Sequence, residues 1–199
     1  GLFAYVNREA ALAVAVDGPV EFRYVPADAS VVAYANIREV MLSDVRERIR
    51  QIALDDIGQN ELRTQLGLDI EHDIDHVLAF LSPGVEGRLA GLVLFRGRFD
   101  TTRLEGVVRA GGATVDIYEG KRVVSVDTDE AGSLAMVFME PGLVAVGDLS
   151  TVQQAIVRGS TTSDITSNSN MMGLLDLVET GSNAWAVGRF GDLSALGFL

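Results

Sequence analysis

The stretch LAGLVLFRGRFDTTRLEGVVRAGG, residues 89–112, contains a strand, a helix and both ends of that helix in succession. Residues 89–95 are apolar and partly branched, which predicts a strand buried on at least one face. Asp100 can accept hydrogen bonds from the first turn of a helix, and apolar residues follow it at helical spacing. Gly111 and Gly112 then end the predicted helix, because glycine adopts the left-handed conformation there most easily.

The same order of elements recurs in GLVAVGDLSTVQQAIVRG, residues 142–159. Aligning Asp148 with Asp100 also aligns Gly159 with Gly111, so both segments consist of a strand, an aspartate cap, a helix and a glycine stop. This repetition indicates that one local plan is used twice in the chain.

A weaker and longer-ranged similarity relates residues 31–40 to residues 184–193. If it marks a repeat, the chain starts a second copy of its own module near its end and is a fragment of a longer protein. The predicted segments are an N-terminal arm at residues 1–23, an α+β domain at residues 24–182 and the start of a second, truncated module at residues 183–199.

Two predicted hairpins and an amphipathic helix indicate the fold class. Short strands flank tight turns at Glu119-Gly120 and Pro141-Gly142, and short turns imply antiparallel pairing. Residues 38–57 carry apolar positions every three or four residues, as in a helix packed on a sheet. We therefore predict an α+β fold with a mainly antiparallel sheet and helices packed on one face, most economically as split β-α-β, ferredoxin-like modules with duplication. The paired segments are residues 114–118 with 122–126 and residues 134–139 with 143–146.

Composition excludes several classes of function. The 199 residues are 48% hydrophobic, which suffices for a buried core. The net charge of −12 argues against binding to nucleic acid or anionic lipid. Without cysteine the chain has no disulfide, thiolate metal site or cysteine nucleophile. No apolar run approaches the roughly 18 residues of a membrane span, and the missing initiator Met is consistent with removal of a signal peptide or anchor.

Residues 69–76, DIEHDIDH, contain both histidines of the chain. On a helix, His72 and His76 would bring two imidazoles to one metal ion, with Asp73 and Asp75 beside them. The usual motif, in which Glu follows the first His, is absent. Two hypotheses stay open: a metal-binding protein or metal-dependent enzyme, and an acidic loop that leads into a strand, which the sequence favours.

Arg96, Arg98 and Arg103 form a local group of positive charges in an acidic chain, next to the helix start at Asp100. They could receive an anionic ligand or an acidic partner, or they could pair with the carboxylates of the chain itself, which the sequence favours. The glycine and serine patterns of nucleotide-binding and hydrolase motifs are absent. We therefore predict no catalytic residue and no cofactor.

Three short segments carry a family resemblance: PADA at residues 26–29, GLD at residues 67–69 and GLVLFRGRFD at residues 91–100. Their order resembles a group of uncharacterised exported bacterial proteins built of repeated α+β modules behind a signal peptide or a single anchor. The resemblance implies a periplasmic or envelope-anchored location. It implies no activity, catalytic residue or cofactor.

The leading functional hypothesis is a non-enzymatic binding or structural module of the bacterial cell envelope. Such a module would contact a protein partner, or associate with itself, through a sheet or helix surface. The doubled architecture and the lack of converging polar residues in the sequence motivate it. The alternatives are the metal site described above and a carrier that holds an apolar ligand between the sheet and its helices.

Overall fold

A computed structural model of the chain describes residues 5–6, 18–42, 69–84, 89–128, 132–161, 163–179 and 181–189. Its nine strands form one sheet in the order β1-β9-β2-β3-β4-β8-β7-β6-β5, and each pair of neighbours is antiparallel. The predicted α+β class with a mainly antiparallel sheet is therefore confirmed. The strands are β1 (Tyr5–Val6), β2 (Val31–Asn36), β3 (Ile74–Pro83), β4 (Leu89–Gly97), β5 (Thr114–Tyr118), β6 (Lys121–Thr128), β7 (Gly132–Glu140), β8 (Leu143–Asp148) and β9 (Ala184–Gly188).

Short helices connect and cover these strands. Two of them, α3 and α4, follow Asp100 and Asp148 as predicted. No helix in the described ranges has the length and hydrophobicity to cross a membrane. The helices are α1 (Ile37–Leu42), α2 (Ile70–Asp73), α3 (Thr101–Ala110), α4 (Leu149–Arg158) and α5 (Ser169–Leu175), with 3-10 helices at Val20–Tyr24 and Ile165–Ser167.

Both predicted hairpins are confirmed, as β5–β6 and β7–β8.

The expectation of an acidic loop over residues 69–76 is wrong in its details. The helix α2 occupies its first half, and β3 already begins at Ile74. Only the start of the predicted helix at residues 38–57 is described, as α1. The rest of that prediction lies outside the described residues.

The main core lies on one face of the sheet, which we call the covered face. Alternating residues of the central strands point to it, among them Leu78 on β3 and Leu94 on β4, both fully buried. Against them pack Phe22 of the first 3-10 helix and Val152 and Ile156 of α4. Each fully buried aliphatic side chain stabilises the fold by about 1.5–3 kcal/mol relative to an exposed one.

Helix α3 lies on the opposite face, so the prediction that the helices cover one face is wrong. Glu105 of α3 forms an ion pair with Arg122 of β6. The next residue, Val123, belongs to the core of the covered face, and neighbouring side chains of a strand point to opposite faces. Arg122 and α3 are therefore on the other side of the sheet.

The domain boundaries predicted after residues 23 and 182 do not coincide with a break in the sheet. Tyr5–Val6 pairs with β9, and β9 in turn pairs with β2. The predicted arm also supplies Phe22 to the core. These pairings do not confirm ferredoxin-like modules or a duplication.

Gly97, at the end of β4, has no side chain, and this lets β4 lie close to the junction between α2 and β3. A Cβ atom at Gly97 would lie 2.0 Å from the backbone oxygen of Asp73. We predict that Gly97→Ala lowers the free energy of unfolding by about 2–4 kcal/mol, because backbone must move to relieve the clash. A Cβ at Gly106, on α3, would meet nothing within 4 Å. Gly106→Ala should therefore leave stability unchanged or raise it by up to about 1 kcal/mol. Urea unfolding of both variants tests this, and equal effects would contradict it.

Candidate functional site

The two histidines lie in different elements and face different groups. His72 is on α2 with its side chain 74% exposed, and its Nδ1 lies 3.1 Å from Oδ2 of Asp69. His76 is on β3, where its Nε2 lies 3.2 Å from Oε1 of Glu21 without hydrogen-bond geometry. The structure therefore does not bring the two imidazoles together.

The two aspartates of the predicted metal site are also engaged elsewhere. Asp73 accepts the backbone N–H of Asp69 at 2.8 Å, and Asp75, at the β-bulge of β3, forms an ion pair with Arg38. Within the described ranges no group of three or more metal-ligating side chains is arranged to hold an ion. The metal hypothesis stays a prediction that the described geometry does not support.

The three arginines have separate environments. Arg96 points to the covered face between two carboxylates, with 21% of its side chain exposed. The guanidinium of Arg98 donates to the backbone oxygen of His72 on α2. Arg103 lies in the first turn of α3, where its backbone N–H donates to Asp100 at 2.9 Å. Arg96 thus pairs with the carboxylates of the chain itself, as the sequence favoured.

The most constrained polar group of the described residues is a set of alternating charges that we call the Glu21 cluster: Glu21, Arg96, Glu140, Arg23 and His76. The side chain of Glu21 is 1% exposed. Nε and Nη2 of Arg96 lie 2.8 and 2.7 Å from Oε1 of Glu21, and Nη2 also lies 2.6 Å from Oε1 of Glu140. Arg23 pairs with the second oxygen of Glu140. The charges therefore alternate along one chain of contacts.

Local geometry brings the cluster together. The first 3-10 helix turns Glu21 and Phe22 inward. In the sheet, His76 is the partner of Arg96, and Arg96 is the partner of Leu143. A bulge near the end of β7 puts Glu140 opposite Leu143 as well, on the same face as Arg96.

The ionised state of the cluster is strongly favoured. Burial by itself would raise the pKa of Glu21, but contacts with His76 and Arg96 outweigh it and lower the pKa to about 2. The pKa of Glu140 is also lowered, since Arg96 and Arg23 outweigh its burial. Such carboxylates are poor proton carriers near neutral pH, where a general acid or base needs a pKa close to the working pH. The arrangement suits structural pairing better than acid–base chemistry.

An aromatic row borders the cluster on the covered face. The ring of Tyr34 on β2 stacks on Trp185 of β9, with centroids 5.6 Å apart, and lies 5.5 Å from the ring of His76. Phe22 meets Trp185 edge-on at 6.2 Å. Burial and the negative charge of Glu21 raise the pKa of Tyr34. The row and the cluster together fasten the first 3-10 helix to five strands, β9, β2, β3, β4 and β7.

Sequence reasoning missed Glu21 and Glu140, which it assigned to an arm and to a turn. A local signal does exist, since Glu21 and Arg23 are the two charged residues in the otherwise apolar run PVEFRYVP, residues 19–26. A carboxylate with apolar residues on both sides suggests burial with a partner. The partner itself, Arg96, is 75 positions away and could not be identified from the sequence.

Comparison of the chain with models of protein families, with curated proteins and with solved structures finds no match. The resemblance to exported bacterial proteins stays a prediction. Functional inference rests on the geometry of the chain itself.

We predict that Glu21→Gln lowers the free energy of unfolding by about 3 kcal/mol at pH 7, because a carboxylate of lowered pKa stabilises the folded state while it is ionised. The unfolded chain takes up its proton first as the pH falls. The difference between wild type and variant should therefore shrink from about pH 4.5 downward and vanish near pH 2. Urea unfolding over this range measures it.

Glu105→Gln is the matched control, because Glu105 pairs with Arg122 on the surface. Solvent screens that pair, so its loss should change stability far less than the loss of Glu21. A difference between wild type and Glu21→Gln that stays constant with pH would show that the charge of Glu21 does not stabilise the fold.

Proposed function

We propose that this chain is a non-enzymatic binding or structural module of the bacterial cell envelope, and that it associates with a second copy of itself through the edge strand β5. The geometry of that edge carries the proposal. The internal pairing of the Glu21 cluster supports it, because the most conspicuous polar group of the described chain serves to hold the fold together.

Strand β5 ends the sheet, and no described strand pairs with its outer side. Ile117 on this strand is 67% exposed, which is high for a large apolar side chain in a sheet. A strand that presents unpaired backbone groups and an apolar side chain is a ready template for pairing with another strand.

The turn between β5 and β6 determines which backbone groups are available. Glu119 and Gly120 have φ angles of 48° and 75°, as in a type I′ hairpin turn. In such a hairpin the closing pair, Tyr118 and Lys121, exchanges both hydrogen bonds, and the pattern alternates along the strand. The N–H and C=O groups of Val115 and Ile117 therefore point away from β6.

These groups allow an antiparallel pair of two β5 strands about a two-fold axis at Ile117. The two Ile117 residues would face each other, exchange backbone hydrogen bonds and shield their side chains from water. Asp116 would then lie opposite Tyr118 of the other copy instead of opposite a second Asp116. This register limits the repulsion between like charges that the net charge of −12 imposes.

A duplicated architecture is part of the proposal. Apart from β1, the strand order is symmetric about the β4–β8 pair. Each hairpin, β3–β4 or β7–β8, is followed by a ten-residue helix, and the next strand of the chain joins the far side of the other half. Ferredoxin-like split β-α-β modules are the finer form of this proposal. The envelope location rests on the family resemblance.

We predict that the wild-type chain forms dimers at high concentration, and that Ile117→Lys weakens the dimer at least about tenfold by placing two cations at the centre of the contact. Leu177→Lys is the matched control, because Leu177 is 69% exposed but lies away from β5. Sedimentation velocity over a concentration series measures both.

Ile117→Pro provides a second test that spares the fold. Proline removes the outward N–H of Ile117, and edge strands tolerate it where that N–H faces solvent. The variant should remain folded and weaken the dimer, because each Ile117 exchanges backbone hydrogen bonds with the other in this register. A wild type that stays monomeric up to millimolar concentration, or equal weakening by Ile117→Lys and Leu177→Lys, would refute pairing through β5.

A further inference from the structure

A groove lies between α3 and strands β6 and β7, on the face of the sheet opposite the covered face. Arg122 precedes Val123 and Phe138 follows Val137, and the two valines are sheet partners in the core of the covered face. Because neighbouring side chains of a strand point to opposite faces, Arg122 and Phe138 both point to the side of α3. The groove, which we call the α3 groove, has a volume of about 690 Å³, as small-molecule sites have. Six of its lining residues determine its chemistry: Glu105, Gly106 and Arg109 on α3, Lys121 and Arg122 on β6, and Phe138 on β7.

Positive charges outnumber negative ones along this groove. Its ionisable lining residues are three cations, Arg109, Lys121 and Arg122, and one carboxylate, Glu105, which leaves a net charge of +2. The whole chain, in contrast, has a net charge of −12. A concave wall with an excess of one sign of charge attracts ions of the other sign, so the groove is suited to an anion.

Glu105 holds two guanidinium groups close together. Nε of Arg122 donates to Oε2 of Glu105 at 3.1 Å, and Nη2 of Arg122 donates to Oε1. Nη1 of Arg109 lies 3.8 Å from the same Oε1. More than half of each arginine side chain is exposed, and a guanidinium has five N–H groups, so several donors remain for a second acceptor. Two guanidiniums that meet at one carboxylate can also bind one oxyanion group together.

Lys121 contributes through its charge and not through a free hand of donors at the arginines. Its Nζ donates to the backbone oxygen of Met139 at 2.6 Å, which fixes the ammonium group near the end of β7. A third positive charge therefore stays at this end of the α3 groove, where it favours an anion beside Arg122.

Gly106 keeps the helical wall of the groove open. Glycine inside a helix is less favourable than alanine by about 1 kcal/mol. A Cβ atom at Gly106 would meet nothing within 4 Å, so close packing does not require glycine there. The missing side chain leaves space next to Phe138, which adds an apolar surface to the groove.

We propose that the α3 groove binds a small ligand with a phosphate monoester group, which Arg109 and Arg122 hold between them while an apolar part of the ligand lies against Phe138. A phosphate monoester carries almost two negative charges at neutral pH, which matches the excess of two positive charges in the groove. Its oxygens can accept from both guanidinium groups at once. The proposal goes beyond self-association through β5 and does not require it.

The primary test is a titration of the isotopically labelled full chain with phenyl phosphate at pH 7, followed by amide NMR shifts, with sodium chloride at equal ionic strength as the reference. The amide signals of Gly106 and Arg122 should move and saturate in about the millimolar range. The amide of Arg38 is the internal control and should stay in place, because Arg38 is equally exposed but pairs with Asp75 outside the groove. Phenylacetate has a ring but a single charge, so it should bind at least about fivefold more weakly.

Two substitutions and a matched control sharpen the test. Arg109→Gln removes one guanidinium and should weaken the binding of phenyl phosphate at least about fivefold. Arg38→Gln removes the same charge elsewhere and should change the affinity less than about twofold. Gly106→Leu adds a side chain to the groove wall and keeps a good helix former in α3, so it should weaken binding at least about threefold.

Several outcomes would overturn the proposal. These are the absence of saturable shifts at Gly106 and Arg122, equal shifts at Arg38, phenylacetate binding as tight as that of phenyl phosphate, equal effects of Arg109→Gln and Arg38→Gln, and unchanged affinity in Gly106→Leu. Because the titration uses the wild-type chain, it gives an answer even if a variant fails to fold.

Discussion

The contact between the carboxylate of Glu21 and the guanidinium of Arg96 determines how the first part of the chain meets the sheet. Both groups lose water when the 3-10 helix at Val20–Tyr24 closes over β4, and the alternating charges of the Glu21 cluster offset part of that loss. Oε2 of Glu21 stays buried without a hydrogen-bond partner among the described residues. A buried pair of this kind adds little net stability compared with an apolar pair, but removing one partner is costly. We infer that the pair favours the position of the helix in which Glu21 meets Arg96.

This position has consequences across the covered face. With the 3-10 helix fixed, Tyr24 and Val25 enter the core, and the backbone oxygen of Val25 accepts the N–H of Ile165 at 2.9 Å. The guanidinium of Arg158, at the end of α4, donates to the backbone oxygen of Tyr24 at 3.1 Å. A segment early in the sequence thereby ties together elements that come more than 130 residues later.

Local sequence predicted the parts of the structure that depend on neighbouring residues. The strand, helix start and helix end around Asp100, and both hairpins, follow from short patterns. The two aspartate-led helices show the limit of such patterns, because Asp100 and Asp148 occupy the same place in equivalent segments. Asp100 bonds to its own helix and Asp148 to Gly91 of the adjacent strand. The partner of Arg96 and the face covered by α3 were likewise unpredictable, since both depend on contacts between distant segments.

The pairing of β9 with β2 also sets the order in which the sheet can assemble. Val31 lies beside Gly188, so β2 gains its second neighbour only after almost all of the described chain has been synthesised. Until then its outer edge can form unintended strand pairs. Contacts between such distant residues also slow folding, because the intervening chain must lose conformational entropy before the strand pairing contributes its stabilising free energy. Exposed strand edges of this kind in an incompletely folded chain favour aggregation, whatever the stability of the finished sheet.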